Sequence, residues 1–117
     1  EKSYLLLLPD NPHPTTITTR LENRENHLAH NAPYFASGEI GFGGPMLSSH
    51  DNTQTKNPDS NNEDDNELNL SKIIGSIHLV HAASEEEVWA MGRADPYAVL
   101  GMWDLEAVEV VPVRVLL

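Results

Sequence analysis

Ile73-Ile74-Gly75-Ser76-Ile77-His78-Leu79-Val80-His81, followed closely by Ser84-Glu85-Glu86-Glu87-Val88, is the stretch on which the fold turns. Its first part is short, rich in β-branched residues and bounded by polar positions, so Ile73 to His81 reads as a strand. Ser84 with Glu87 three residues on has the form of a capping box, and three acids there suit the positive end of a helix dipole. Val88 and Met91 give that helix an apolar face. Asp95-Pro96 then restarts a short helical turn that ends near Gly101. Leu105 to Leu117 reads as a last strand, apolar on both faces: Val111, Val113 and Val115 alternate with Val108, Val110 and Leu116. Pro112 marks a bulge or a sheet edge within it.

Upstream, Tyr4 to Leu8 reads as a first strand that stops at the turn-rich Pro9-Asp10-Asn11-Pro12-His13-Pro14. Thr15, Thr16 or Thr19 can start a helix, and Thr19 with Glu22 has capping-box form. Ile17, Leu21, Leu28 and Phe35 recur on one helical face and are expected to be its buried side. Pro33 lacks an N–H and clashes with the carbonyl of Ala29, so the regular helix is expected to end or kink near Ala32. Gly38 turns the chain into a second strand, Glu39 to Phe42, ending at Gly43-Gly44-Pro45. From about 48 to 70 the sequence is polar and Asn/Asp-rich, and is expected to be a mobile or disordered loop.

The order is strand, helix, strand, strand, helix, strand. It predicts an α+β chain with a ferredoxin-like βαββαβ antiparallel sheet and helices on one face. The other sheet face then needs a cover. Two such sheets packed face to face would make a homodimer, a dimeric α/β barrel built from two subunits.

Composition narrows the function. The chain of 117 residues fits a single domain, with 39% hydrophobic residues. Leu5-Leu6-Leu7-Leu8 is far too short to span a bilayer, which takes about 20 apolar residues. Without cysteine there are no disulfides, thiol nucleophiles or thiolate metal sites. With no signal segment in view, a cytoplasmic protein is expected. A formal net charge of -11 disfavours nucleic acid and anionic membranes as partners. Much of that charge is local, carried by Asp51, Asp59, Glu63, Asp64, Asp65 and Glu67.

Chemistry concentrates in three islands. Arg20, Arg24 and His27 stand at i, i+4 and i+7 beside the apolar stripe of the first helix. Histidine is the side chain suited to proton transfer near neutral pH. The arginines can hold an anionic group or pair with glutamates. Asp95 can fix the tautomer of His27, or act simply as a helix cap before Pro96. Gly43-Gly44-Pro45 lacks the following helix of a phosphate-cradling loop and reads as a close backbone approach or one wall of a pocket. Tyr97 closes that pocket or belongs to the core. His27 and His30 share a helical face, but no histidine spacing matches a zinc signature, so no metal is expected.

Arg20-Leu21-Glu22-Asn23-Arg24-Glu25-Asn26-His27-Leu28-Ala29, Gly38 through Gly43-Gly44-Pro45-Met46, Gly75-Ser76-Ile77 and Ala94-Asp95-Pro96-Tyr97 with Gly101 together resemble the YCII-related (YciI-like) family. The likeness covers nearly the whole chain except the polar loop, which is longer than is usual there; Pro33 is also unusual for the family's first helix. The resemblance implies a dimeric α/β barrel and a pocket with a His–Asp pair, here His27 and Asp95. Most such proteins have no assigned reaction, although one relative removes chloride from a chlorinated hydroxyhydroquinone. The reading is therefore a small-molecule lyase or dehydrochlorinase-type enzyme. His27 and Asp95 would be catalytic, with Arg20, Arg24, Gly44, Pro45 and Tyr97 binding a small, anionic or enolisable molecule and no cofactor required. The alternative is a non-catalytic ligand-binding or dimeric interaction module.

Overall fold

In a computed structural model, which describes residues 1–50 and 72–116, strand pairing follows the alternation of the apolar residues. β1 is Lys2–Pro9, α1 Thr16–Ser37, β2 Ile40–Leu47, β3 Ile73–Ala82, α2 Glu85–Ala94, α3 Pro96–Val99 and β4 Glu109–Val113. The strands form one four-stranded sheet in the order β2-β3-β1-β4. Every neighbouring pair is antiparallel. The chain is thus α+β with the βαββαβ order expected.

Successive side chains of a strand point to opposite sheet faces. In β1, Tyr4, Leu6 and Leu8 are buried and face Val80, His78 and Ser76 of β3. They pack with Val88 and Met91 of α2, Tyr97 of α3, and the following Met102 and Trp103 to make the core. The other face carries Leu5 and Leu7 opposite Leu79 and Ile77, with exposed Phe42 and Val111 alongside. The stretch after β1 is stapled rather than loose. Asp10 forms a bridge with Trp103, and the Asn11 side chain donates to the Gly101 and Trp103 carbonyls at 2.7 and 3.1 Å.

Four expectations need correction. First, of the two outcomes expected at Pro33, an end or a kink, the end does not occur: α1 runs through Pro33 to Ser37. Tyr34, just past the proline, packs against the core, and Gly38 ends the helix with φ 85°, its N–H donating to the Phe35 carbonyl. Tertiary packing outweighs the lost hydrogen bond. Second, the apolar stripe does not face the core: Leu21 is 54% and Phe35 44% exposed, with Ile17 and Leu28 similar. The inner face of α1 carries Arg20, His27, Asn31 and Tyr34 instead. Third, β2 continues through Gly43-Gly44-Pro45 to Leu47, an edge position where Pro45 costs no inner ladder bond. Fourth, β4 is only Glu109–Val113, because the Ala107 N–H closes a turn on the Asp104 carbonyl just before it. Pro112 does lie in an edge strand.

Helix ends follow the predicted chemistry in part. Thr15 precedes α1 without a side-chain cap, so the Thr19–Glu22 box is unused. At α2 the Ser84 hydroxyl accepts from the Glu87 N–H at 3.4 Å, while the Glu87 carboxylate accepts from the Ala83 N–H at 3.0 Å. The polar segment expected as a loop falls almost entirely outside the described residues.

Candidate active site

Asp95 organises the site. It ends α2 and caps α3, and it is 2% exposed. Its Oδ1 accepts from the Tyr97 N–H at 2.9 Å, as the Asp-Pro sequence leads one to expect. The same carboxylate reaches α1: the His27 Nδ1 lies 2.9 and 2.8 Å from its two oxygens. Asn31, one turn after His27, donates to Oδ2 at 2.8 Å. Cap and histidine partner are therefore one group doing both jobs. Burial pushes the Asp95 carboxyl up, but the His27 and Tyr97 hydrogen bonds, the His27 charge and Asn31 together hold it below the usual carboxylate value. An ionised carboxylate can only accept, so it keeps the proton of a neutral His27 on Nδ1 and leaves Nε2 as the basic nitrogen.

Aromatic rings set the tilt of His27. Tyr97 stacks on it at 4.1 Å with the planes 8° apart, and Trp103 meets it edge-on at 5.9 Å. The Tyr97 hydroxyl donates to the Arg20 carbonyl at 3.1 Å, which ties α3 to α1. Burial raises the Tyr97 pKa, so its hydroxyl stays protonated and donating.

Arg20 points away from proton chemistry. Its Nη2 donates to both Asp10 oxygens at 2.7 and 2.6 Å, and its guanidinium lies over the Tyr97 ring at 5.4 Å. Burial raises the Asp10 pKa, and Arg20 offsets that only in part. Arg24, one turn on, is exposed at the mouth of the site.

These groups border a cleft of about 290 Å³ between α1 and the β2–β3 side of the sheet. Arg20, Arg24, His27, Gly44, Pro45 and Tyr97 all line it, with Asp95 directly beneath His27. Leu21, Leu28 and Phe35, the stripe that fails to face the core, form its apolar rim. Sequence reasoning missed Asn31, Asp10, Ser76 and His78 as neighbours of the site. Asn31 had a readable signal, its i+4 spacing from His27. Strand alternation put His78 on one sheet face without saying which element covers it. Among the described residues, no three His, Asp or Glu side chains gather as a metal set, and no helix is long and apolar enough to cross a membrane.

Comparison with known proteins agrees with this architecture. The family model of the YCII-related domain matches residues 3–114. The chain is 39% identical over 85 residues to the derivative of benzaldehyde biosynthesis cluster protein C of Emericella nidulans, covering 73% of this chain and 74% of that protein. It is 27% identical over 111 residues to the aspercryptin biosynthesis cluster protein B of the same organism, covering 95% of this chain and 62% of that one. Among solved structures, 5-chloro-2-hydroxyhydroquinone dehydrochlorinase (TftG) of Burkholderia phenoliruptrix, in complex with 2,5-dihydroxybenzoquinone, superposes with a TM-score of 0.69. That match has 26% identity and covers 96% of this chain and 93% of the other.

Proposed function

The chain belongs to the YCII-related domain family, and from that premise we propose that it is an acid–base enzyme acting on a small phenolic or enolisable molecule. The observation that carries this is the His27–Asp95 pair, 2.8 Å apart at the floor of a cleft. Nε2 of His27 takes a proton from the substrate. The imidazolium, stabilised by Asp95, gives that proton to the carbon bearing the leaving group, which becomes tetrahedral. Loss of a second substrate proton to His27 then supplies the electron pair that breaks the bond to a leaving group such as chloride. This second proton passes to solvent, so that HCl is lost overall. Nothing in that sequence of steps calls for a metal or an organic cofactor. Arg24 at the mouth favours an anionic substrate, and the rim of Leu21, Leu28 and Phe35 suits a flat apolar body. The likeness to a dehydrochlorinase and to proteins of two fungal biosynthesis clusters supports the substrate class.

The acting form in this proposal is a homodimer. The sheet face opposite the helices bears Leu5, Leu7, Ile77 and Val111, with Phe42 49% exposed. A second copy would cover it, closing two sheets into a barrel.

A panel of chlorinated hydroquinones and hydroxybenzaldehydes, assayed with the wild-type protein and His27→Ala, tests the reaction. The variant is expected to lose about 10²–10⁴-fold in turnover. Equal turnover in the two proteins would remove His27 from the mechanism. Binding without product in either would favour a ligand-binding module instead.

A further inference from the structure

We infer that His78 is a second ligand-contacting residue of the cleft, its imidazole hydrogen-bonding an oxygen of the bound molecule beside the proton held by His27. The inference rests on the acid–base reading of His27. Position comes first, because His78 lines the same cleft as His27. His78 is 5% exposed and borders the cleft, and the side-chain atoms of the described residues that are fully buried without a hydrogen-bond partner are His30 Nε2 and Trp103 Nε1, not a nitrogen of His78. What little of His78 remains open belongs to a residue that lines the cleft, so a molecule seated there is the natural partner.

The surroundings are shaped around this ring. On the helix-facing side of β3, His78 sits opposite Gly43 of β2. A Cβ at position 43 would come within 2.6 Å of the His78 Cδ2 and 3.2 Å of its Nε2. The absence of a side chain at Gly43 therefore gives the imidazole its room. Its plane lies 19° from that of His27, with centroids 6.1 Å apart, so one planar molecule can reach both rings.

Charge state decides what His78 can offer. Burial lowers its pKa to about 4, and the nearby His27 and His30 act in the same direction against the pull of Asp95. A neutral imidazole has one donor and one acceptor. It can donate to a phenolate or enolate oxygen as negative charge builds there, and it adds no repulsion when His27 becomes an imidazolium. The ligand class is accordingly a flat molecule with hydroxyl or carbonyl oxygens on an unsaturated ring.

The test uses 2,5-dihydroxybenzoquinone as probe, with absorbance titration and imidazole 15N resonances. In the wild-type protein the probe is expected to move the signals of both His27 and His78. His78→Phe keeps the ring bulk and should weaken binding about 5–10-fold, whereas His78→Gln, which keeps a donor and an acceptor, should recover most of it. If the His27 signal moves, the His78 signal does not and His78→Phe binds as well as wild type, His78 is a core residue and the inference falls while His27 stands. A moving His78 with an unmoved His27 keeps the inference and overturns the acid–base reading. If neither signal moves, both fall. The wild-type resonances decide even if a variant does not fold.

Discussion

Asp95 shows how one side chain satisfies two demands. Its carboxylate caps α3 through the Tyr97 N–H and holds the ring of His27, and Asn31 occupies a further acceptor position. Arg20 shows the opposite economy. It was expected to meet substrate, and it lines the cleft, but its Nη2 is spent on Asp10, with both side chains about nine-tenths buried. Arg20→Ala would leave the Asp10 carboxylate buried without its partner. It should lower unfolding free energy by about 3–5 kcal/mol in urea titration. A stable variant with a raised KM alone would show that Arg20 serves the substrate rather than the fold.

Helix α1 carries the largest difference between pattern and packing. Its apolar residues Ile17, Leu21, Leu28 and Phe35 suggest the inner face, yet they are exposed, and three of them rim the cleft. The inner face is polar because Asp10 and Asp95 wait beneath it, and charged partners reward polar burial where methyl groups would leave them unpaired. Pro33 also sits inside this helix. Replacing it should restore a donor to the Ala29 carbonyl. Pro33→Ala is expected to stabilise the protein by about 1–3 kcal/mol, measured by urea unfolding. No gain would mean that the helix has already relaxed around the missing bond.

The folded molecule as a whole should lose stability on mild acidification. His78 has a lowered pKa, about 4 against an ordinary 6.5, so the unfolded chain binds the proton first. The loss begins as pH falls through 6.5, grows until about 4 and amounts to about 3 kcal/mol. Asp95 adds nothing in that window. Its pKa is lowered from 3.8, so its contribution is present above that value and fades only as pH drops below it. Asp10, raised by burial, works the other way and favours the fold as it protonates. Chemical denaturation at pH 7 and pH 4.5 checks the sign, and His78→Gln should flatten the difference. A variant as acid-sensitive as wild type would assign the effect elsewhere. Assembly is tested by mass: sedimentation at micromolar concentration should give a dimer, and Phe42→Glu with Val111→Glu should give a monomer. A monomeric wild-type protein would contradict face-to-face sheets.

The element order, the antiparallel sheet, the Ser84 and Asp95 caps and the meeting of His27 with Asp95 were readable in the chain, the last through family resemblance. Strand alternation and capping chemistry are local, so they survive in sequence form. The inner face of α1, the continuation past Pro33, the pairing of Arg20 with Asp10 and the seat of His78 were decided only by tertiary structure. Each depends on which buried charge or polar group lies across the interface, and partners 10 to 68 residues apart in sequence, such as Asp10 with Arg20 and His27 with Asp95, are brought together by the fold and not by any period in the chain.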